Sequence, residues 1–214
     1  MIKVWGRDTS VNVQKVLWAL DEVGQSYDRV DCGGAFGGLD TEEFGRLNPN
    51  RKIPVIEDGE FVLWESSAIV RYLAEAYGAG SLSPSDLKAR AIAQQWANWC
   101  MTTVYADFIT HTFSPLIRVP AAERDTAAVT AAAARVGKSM QILDGHLANH
   151  DFLAGSALTF ADIEVGSLMH RYFTLPIERP DLPNATAWYE RLQTRPGFQT
   201  HVMKDWSQMK VPGA

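Results

Sequence analysis

Three short stretches hold residue types suited to binding and polarising a small anionic ligand. Thr9-Ser10-Val11-Asn12 stands between an apolar run and the first helical pattern. Unpaired amides and the positive end of a helix dipole gather at such a junction, and a serine hydroxyl there can donate one more hydrogen bond to an anion. Asn48-Pro49-Asn50-Arg51-Lys52-Ile53-Pro54-Val55 places a proline at the opening of a strand. Such a proline gives no ladder bond, so it belongs at a sheet edge, and it is open to the cis form. Ile53 then keeps its N–H and C=O free to pair with an extended peptide, and Lys52 beside it can neutralise a carboxylate. In Glu65-Ser66-Ser67-Ala68-Ile69 the last strand gives way to a helix. Ser66 is placed to cap that helix and to hold a second carboxylate through its amide and hydroxyl, while Glu65 can face an ammonium group. Taken singly, each stretch is more often an ordinary N-cap or a turn into an edge strand. Together they describe a ligand with two carboxylates, an amine, a backbone-like middle and an anionic reactive atom.

The elements that must position these stretches follow from periodicity. Ile2–Trp5 reads as a strand, Asn12–Val23 as a helix ended by Gly24, and Tyr27–Asp31 as a second strand. A glycine-rich loop, Cys32–Gly38, leads to a short helix over Thr41–Leu47. Pro54–Glu57 and Glu60–Trp64 form a hairpin around Asp58-Gly59, and Ser66–Tyr77 is a helix stopped by Gly78. The order βαβ-α-ββ-α defines a small α/β domain with a right-handed parallel crossover and a mixed sheet. Gly78–Pro84 reads as a linker, and no strand is predicted beyond it. Helices are predicted over Leu87–His111, Ala121–Asn149, from Thr159 to about Thr174, over Asn184–Thr194 and over Gly197–Asp205. Thr159 and Asp162 have capping-box spacing, with Leu158 and Ile163 flanking them as a hydrophobic staple. The expected division is residues 1–79 as the α/β domain and 86–214 as an all-α bundle.

The composition excludes several classes. Of 214 residues, 46% are apolar and 21% charged, which is ample for a core and argues against disorder. The net charge of −5 disfavours nucleic acid as a partner. There is no apolar run of about 18 residues to span a membrane, and Met1–Gly6 enters structure without an apolar leader. Cys32 and Cys100 cannot make a disulfide framework, which points to a reducing cytoplasm. No Cys/His cluster offers a metal site; His146 and His150 share a helical face and read as a solvated pair. Tyr105, Phe108, His111 and Phe113 can line a pocket between the domains, although aromatics so spaced more often form core; Trp96 and Trp99 read as packing.

The ligand described above has the chemistry of glutathione, and the chain resembles a bacterial cytosolic glutathione transferase of the serine or asparagine type, theta- or nu-like. The resemblance rests on Ser10–Val16, Asn48–Val55, Leu63–Leu73 and the capped helix opening Thr159-Phe160-Ala161-Asp162. It implies a thioredoxin-like domain followed by an all-α domain. Lys52 would bind the glycine carboxylate, Ile53 would pair with the cysteinyl backbone before cis-Pro54, and Glu65 and Ser66 would hold the γ-glutamyl end. Ser10 and Asn12 are the candidate catalytic residues, placed to stabilise the thiolate. The resemblance further implies a hydrophobic electrophile, a cytoplasmic homodimer, glutathione as co-substrate and no other cofactor. The absence of a tyrosine or cysteine near residue 10, and of a Ser-Ser-Cys motif, disfavours the tyrosine-dependent, mixed-disulfide and isomerase classes. Two alternatives remain: a glutathione-dependent disulfide or peroxide reductase, and a non-catalytic glutathione-binding protein of the same fold.

Overall fold

A computed structural model describes all residues, 1–214. Strands β1 (Ile2–Trp5), β2 (Tyr27–Val30), β3 (Val55–Asp58) and β4 (Phe61–Trp64) form one mixed sheet in the order β2-β1-β3-β4. β2 runs parallel to β1, while β3 is antiparallel to both β1 and β4. The register puts Val30 opposite Trp5, Trp5 opposite Val55 and Val55 opposite Trp64. The segments after Trp5, after Val30, before Val55 and after Trp64 therefore leave the sheet at the same end. That convergence builds the site.

Helix α1 (Val11–Glu22) buries Val13, Val16, Leu17 and Leu20, and α3 (Ser66–Ala76) buries Ile69, Val70 and Leu73. These two helices lie side by side and both meet α7 (Phe160–Thr174) of the helical half. The short helix α2 (Glu42–Leu47), capped by Thr41 Oγ1 accepting from the Phe44 amide at 3.2 Å, covers a separate small core of Cys32, Phe44 and Val55. Gly6 ends β1 at φ +148°, and a Cβ there would lie 2.5 Å from Val13 Cγ2 and 3.2 Å from Ile53 Cβ. Only a residue without a side chain lets the strand end, α1 and the Ile53 loop approach so closely.

The helical half departs from its predicted outline in three places. The helix expected to stop near His111 starts as α4 (Leu87–Trp99), continues in π-helical turns over Cys100–Val104 and Ala106–Phe113, and ends as α5 (Ser114–Arg118). Pro115 lies inside this continuous run, just where the π-wound Ala106–Phe113 gives way to α winding. The helix expected from Ala121 begins instead as α6 (Thr126–Leu147), because Asp125 caps it by accepting from the Ala128 amide at 2.9 Å. After α8 (Pro183–Gln193) the expected final helix shortens to a π-helical Phe198–Val202. The predicted capping box on α7 is present: Asp162 Oδ2 accepts from the Thr159 amide at 2.8 Å.

The Gly78–Pro84 segment is anchored rather than loose, since Leu82 is buried and its carbonyl accepts from the Phe160 amide at 2.9 Å. One core of 43 buried residues runs through both halves. No helix is long and apolar enough to cross a membrane.

His146 and His150 stack with ring centroids 4.2 Å apart, but only His150 is exposed; His146 lies against Trp96. Burial holds His146, His170 and His201 below the ordinary histidine value of 6.5, for His201 in spite of Asp21 Oδ2 at 2.9 Å. The unfolded chain therefore takes up these protons first as the pH falls. Stability from these groups is complete above about pH 6.5 and is lost below it. The urea midpoint should drop between about pH 7.5 and about pH 5.5, and less so in His201→Gln. Equal slopes in the two proteins would remove His201 as a contributor.

Candidate functional site

Ser10 is the N-cap of α1, with extended backbone (φ −81°, ψ 123°), and its hydroxyl makes no capping bond. The amides of Val11 and Asn12 take no backbone acceptor, whereas the Ser10 carbonyl accepts from Val13 and Gln14. A free hydroxyl and two free amides thus meet at the positive end of a twelve-residue helix. The turn leading to them is held from three sides. The Ser10 amide donates to the Arg7 carbonyl at 3.2 Å, Gln14 Nε2 to the Asp8 carbonyl at 2.9 Å, and Arg171 Nη2 of α7 to the Thr9 carbonyl at 2.8 Å.

Asn12, the second residue of the helix, donates from Nδ2 to the Tyr105 hydroxyl at 3.0 Å, and its Oδ1 is buried with no partner. In this orientation Asn12 offers a ligand an acceptor. Rotating the amide by half a turn would let the Tyr105 hydroxyl donate to Oδ1 and free the NH2 as a donor. Ser10 needs no such rearrangement.

Ile53–Pro54 is a cis peptide bond, and neither the amide nor the carbonyl of Ile53 pairs with the protein's own backbone. Asn48 shapes this loop: its Nδ2 donates to the Lys52 carbonyl at 2.7 Å and its Oδ1 accepts from the Asn50 amide at 2.9 Å. Lys52 is exposed and has no acidic partner within 4.0 Å. One expectation is corrected here. Pro54 does not open an edge strand; β3 lies inside the sheet. The proline is accommodated because it precedes the first ladder residue, Val55, so no ladder N–H is missing.

Ser66 is likewise not the cap of α3. The cap position belongs to Glu65, at φ +71°, and Ser66 is the first helical residue, nearly buried. A left-handed backbone at a non-glycine residue costs on the order of 1–3 kcal/mol and collects at functional sites. It turns the exposed Glu65 outward and leaves the first amides of α3 facing the same end of the sheet. Ser67 is spent elsewhere, donating to Glu164 Oε2 at 3.0 Å.

Two of the expected pocket aromatics are core: Phe108 and Phe113 are fully buried, packed against Tyr172 and under Arg171 respectively. Tyr105 reaches the site and His111 is exposed. Trp96 and Trp99 pack edge to face at 5.0 Å. Burial pushes the Cys32 thiol up to about 11 and the Cys100 thiol to about 12, so neither is a nucleophile at neutral pH. A cavity of about 580 Å³ between α6 and Pro176–Pro180 touches none of the candidate residues. The candidate residues stand on loop ends that leave the sheet at one end, an arrangement suited to an extended ligand.

Gln14, Arg171 and the pairing role of Tyr105 are absent from the sequence reading. Gln14 sits one turn past Ser10 on the apolar side of an amphipathic helix, the only local hint available. Arg171 acts on Thr9 from 162 residues away, which no local pattern reveals.

The geometry is that of a thioredoxin-like domain with an unpaired backbone residue beside a cis-proline, backed by a helical bundle. Residues 5–81 match the family model for the glutathione S-transferase N-terminal domain, and residues 105–196 match that for the C-terminal domain. The chain is 34% identical over 205 residues to glutathione S-transferase GstB of Escherichia coli K12, covering 95% of this chain and 98% of that one. It is 29% identical to glutathione S-transferase D6 of Drosophila melanogaster, covering 94% and 92%. Among solved structures, a theta-class glutathione S-transferase of Xanthomonas axonopodis pv. citri with glutathione bound superposes with a TM-score of 0.91 at 43% identity, covering 95% of this chain and 98% of that one. The chain belongs to the glutathione S-transferase family. Its enzyme class is accordingly that of a transferase acting through glutathione.

Proposed function

We propose that these loop ends at one end of the sheet bind glutathione and that Ser10, assisted by Asn12, holds its sulfur as a thiolate for attack on an electrophilic small molecule. Residues 1–79 carry the tripeptide in this reading and 86–214 supply the face for the electrophile. The observation that carries it is the unpaired backbone of Ile53 beside cis-Pro54, at the same end of the sheet as the free Ser10 hydroxyl and α1 amides. Ile53 pairs with the cysteinyl backbone, Lys52 takes the glycine carboxylate, and Glu65 and Ser66 take the γ-glutamyl ammonium and carboxylate. The thiol proton leaves to solvent. The sulfur lone pair then forms the new S–C bond while the leaving group departs with its electron pair. Ser10, the α1 amides and the helix dipole all favour the charged sulfur, so the step asks for no general base.

Calorimetric titration of glutathione into the folded protein should give saturable heat, with 1-chloro-2,4-dinitrobenzene conjugated in the presence of glutathione. Lys52→Ala should weaken glutathione binding about tenfold, as for loss of one charge-assisted contact. Absence of heat from the unaltered protein removes the reading.

The same reading makes the protein a cytoplasmic homodimer with no other cofactor. Supporting a dimer, Phe61 and Val62 on edge strand β4 and Tyr77 after α3 are exposed on adjoining surface, with Tyr72 packed between Phe61 and Tyr77. Light scattering measures the mass in solution.

A further inference from the structure

The chain carries a net charge of −5, yet arginines collect around the turn before Ser10, whose own acid, Asp8, faces Lys204 at 3.7 Å. Arg171 is buried, donates to the Thr9 carbonyl at 2.8 Å, and stacks over the Phe113 ring at 4.9 Å. Phe113 leads directly into α5, whose last residue is Arg118. Arg7 lies three residues ahead of Ser10, with its side chain along the glycine-rich loop, where a Cβ on Gly34 would lie 2.9 Å from its Nε. Arg29, Arg46, Arg135 and Arg195 each meet a carboxylate, but Arg7, Arg118 and Arg171 meet none within 4.0 Å. Arg7 and Arg118 donate no hydrogen bond from their side chains at all.

The three repel one another. Burial first and Arg118 second hold Arg7 below its ordinary value; burial, then Arg7 and Arg118, bring Arg171 to about 10 against the pull of Tyr105. Arg7 and Arg171 remain cations at neutral pH. Arg171 is buried, Arg7 half-buried and Arg118 exposed, and like charges so graded from core to surface are unfavourable until an anion arrives. The two carboxylates of glutathione are already assigned to Lys52 and Ser66 on the sheet half. Arg118 and Arg171 stand on the helical half, where the second substrate approaches.

We propose that the second substrate is itself an anion, a small electrophile bearing a carboxylate, which Arg7 and Arg118 bind while Arg171 holds the turn and adds its charge. This rests on the transferase reading above and names its substrate class. In water, a thiolate and a carboxylate-bearing electrophile repel each other; the guanidiniums offset that repulsion where the two meet. The bond changes are those of the parent reaction: sulfur bonds to the electrophilic carbon and the leaving group departs with its pair, while the carboxylate stays intact.

The test uses 4-chloro-3,5-dinitrobenzoate and its methyl ester, two electrophiles that differ in the anionic group, at saturating glutathione. Each enzymic rate is divided by the rate with glutathione alone. The acid should show an enhancement at least about tenfold larger than the ester. That ratio should fall about tenfold or more in Arg7→Gln/Arg118→Gln, mainly through KM for the acid, and should recover in Arg7→Lys/Arg118→Lys, which keeps the charge. High salt should depress the acid's advantage as well.

Equal enhancement of acid and ester by the unaltered enzyme overturns the proposal while leaving the transferase intact. So does a ratio that the glutamine variants do not change, or a rise in KM confined to glutathione, which would return the arginines to the tripeptide's site. No turnover of either compound together with no glutathione heat overturns both readings.

Discussion

Ser10→Ala should raise the thiol pKa of bound glutathione by about one to two units and depress turnover at neutral pH. A free thiol near pKa 8.5 is only a few per cent ionised at pH 7, and lowering it by about two units requires roughly 2.7 kcal/mol at about 1.36 kcal/mol per unit. One charge-assisted hydrogen bond from an uncommitted hydroxyl, added to the helix terminus, supplies a contribution of that order. Losing the whole shift cuts the thiolate fraction at pH 7 roughly 25-fold. Because the variant's thiol still ionises at higher pH, its activity should approach that of the parent near pH 9. A merely misfolded variant would not recover in this way. The thiolate absorbance of the complex, titrated against pH, reads the shift directly.

Asn12→Ala should move the same titration less, since Asn12 must first turn its amide away from the Tyr105 arrangement. Tyr105→Phe should act in the same direction as Asn12→Ala. A titration unmoved in Ser10→Ala but displaced in Asn12→Ala would transfer the role to Asn12.

The largest stability effect is expected at a buried ion pair that joins the two halves. Lys15 of α1 donates to Glu164 Oε2 of α7 at 2.7 Å, and both side chains are essentially excluded from solvent (1% and 0% exposed). Ser67 of α3 donates to the same carboxylate oxygen, while Glu164 Oε1 is buried and unpartnered. Burial works against the Lys15 charge, but Glu164, together with Cys100 and Tyr105, outweighs it and leaves the ammonium raised above its ordinary value. Removing one partner strands the other charge in the core. Lys15→Met should therefore cost about 3–5 kcal/mol in urea unfolding, and Glu164→Leu a similar amount. The double variant Lys15→Met/Glu164→Leu should recover most of that loss, because two apolar side chains of similar volume need no partner. Additive losses would show that the pair itself does not account for the cost.

Much of the architecture was legible because its signals are local. Gly24 and the Asp58-Gly59 turn mark element ends, and the Thr159–Asp162 spacing of three residues announces α7 by itself. The sheet order is not local, which is why Pro54 read as an edge residue although β3 is central. Ser66 read as a cap because serine prefers that position; the cap passed to Glu65 through a backbone conformation that residue identity does not favour. The candidate site was legible where a loop carries its own uncommitted groups, as with the Ser10 hydroxyl, the exposed Lys52 and the Ile53 backbone. It was opaque where distant helices complete it. Arg171 on α7 and Tyr105 in the π-wound stretch reach the Ser10 turn across 162 and 93 residues, and Lys15 resembles any lysine on an amphipathic helix until Glu164 lies against it. The change to π winding after Trp99 left no trace in apolar spacing, because both helix types bury Val104 and Phe108.

A single interior serving both halves has a bearing on how such a chain can diversify. The bundle cannot be re-angled or exchanged for another without exposing α1, α3 and a charged pair at once. On the proposed reading, new second-substrate preferences arise along the rim, at positions such as Arg118 and His111, whose side chains are exposed.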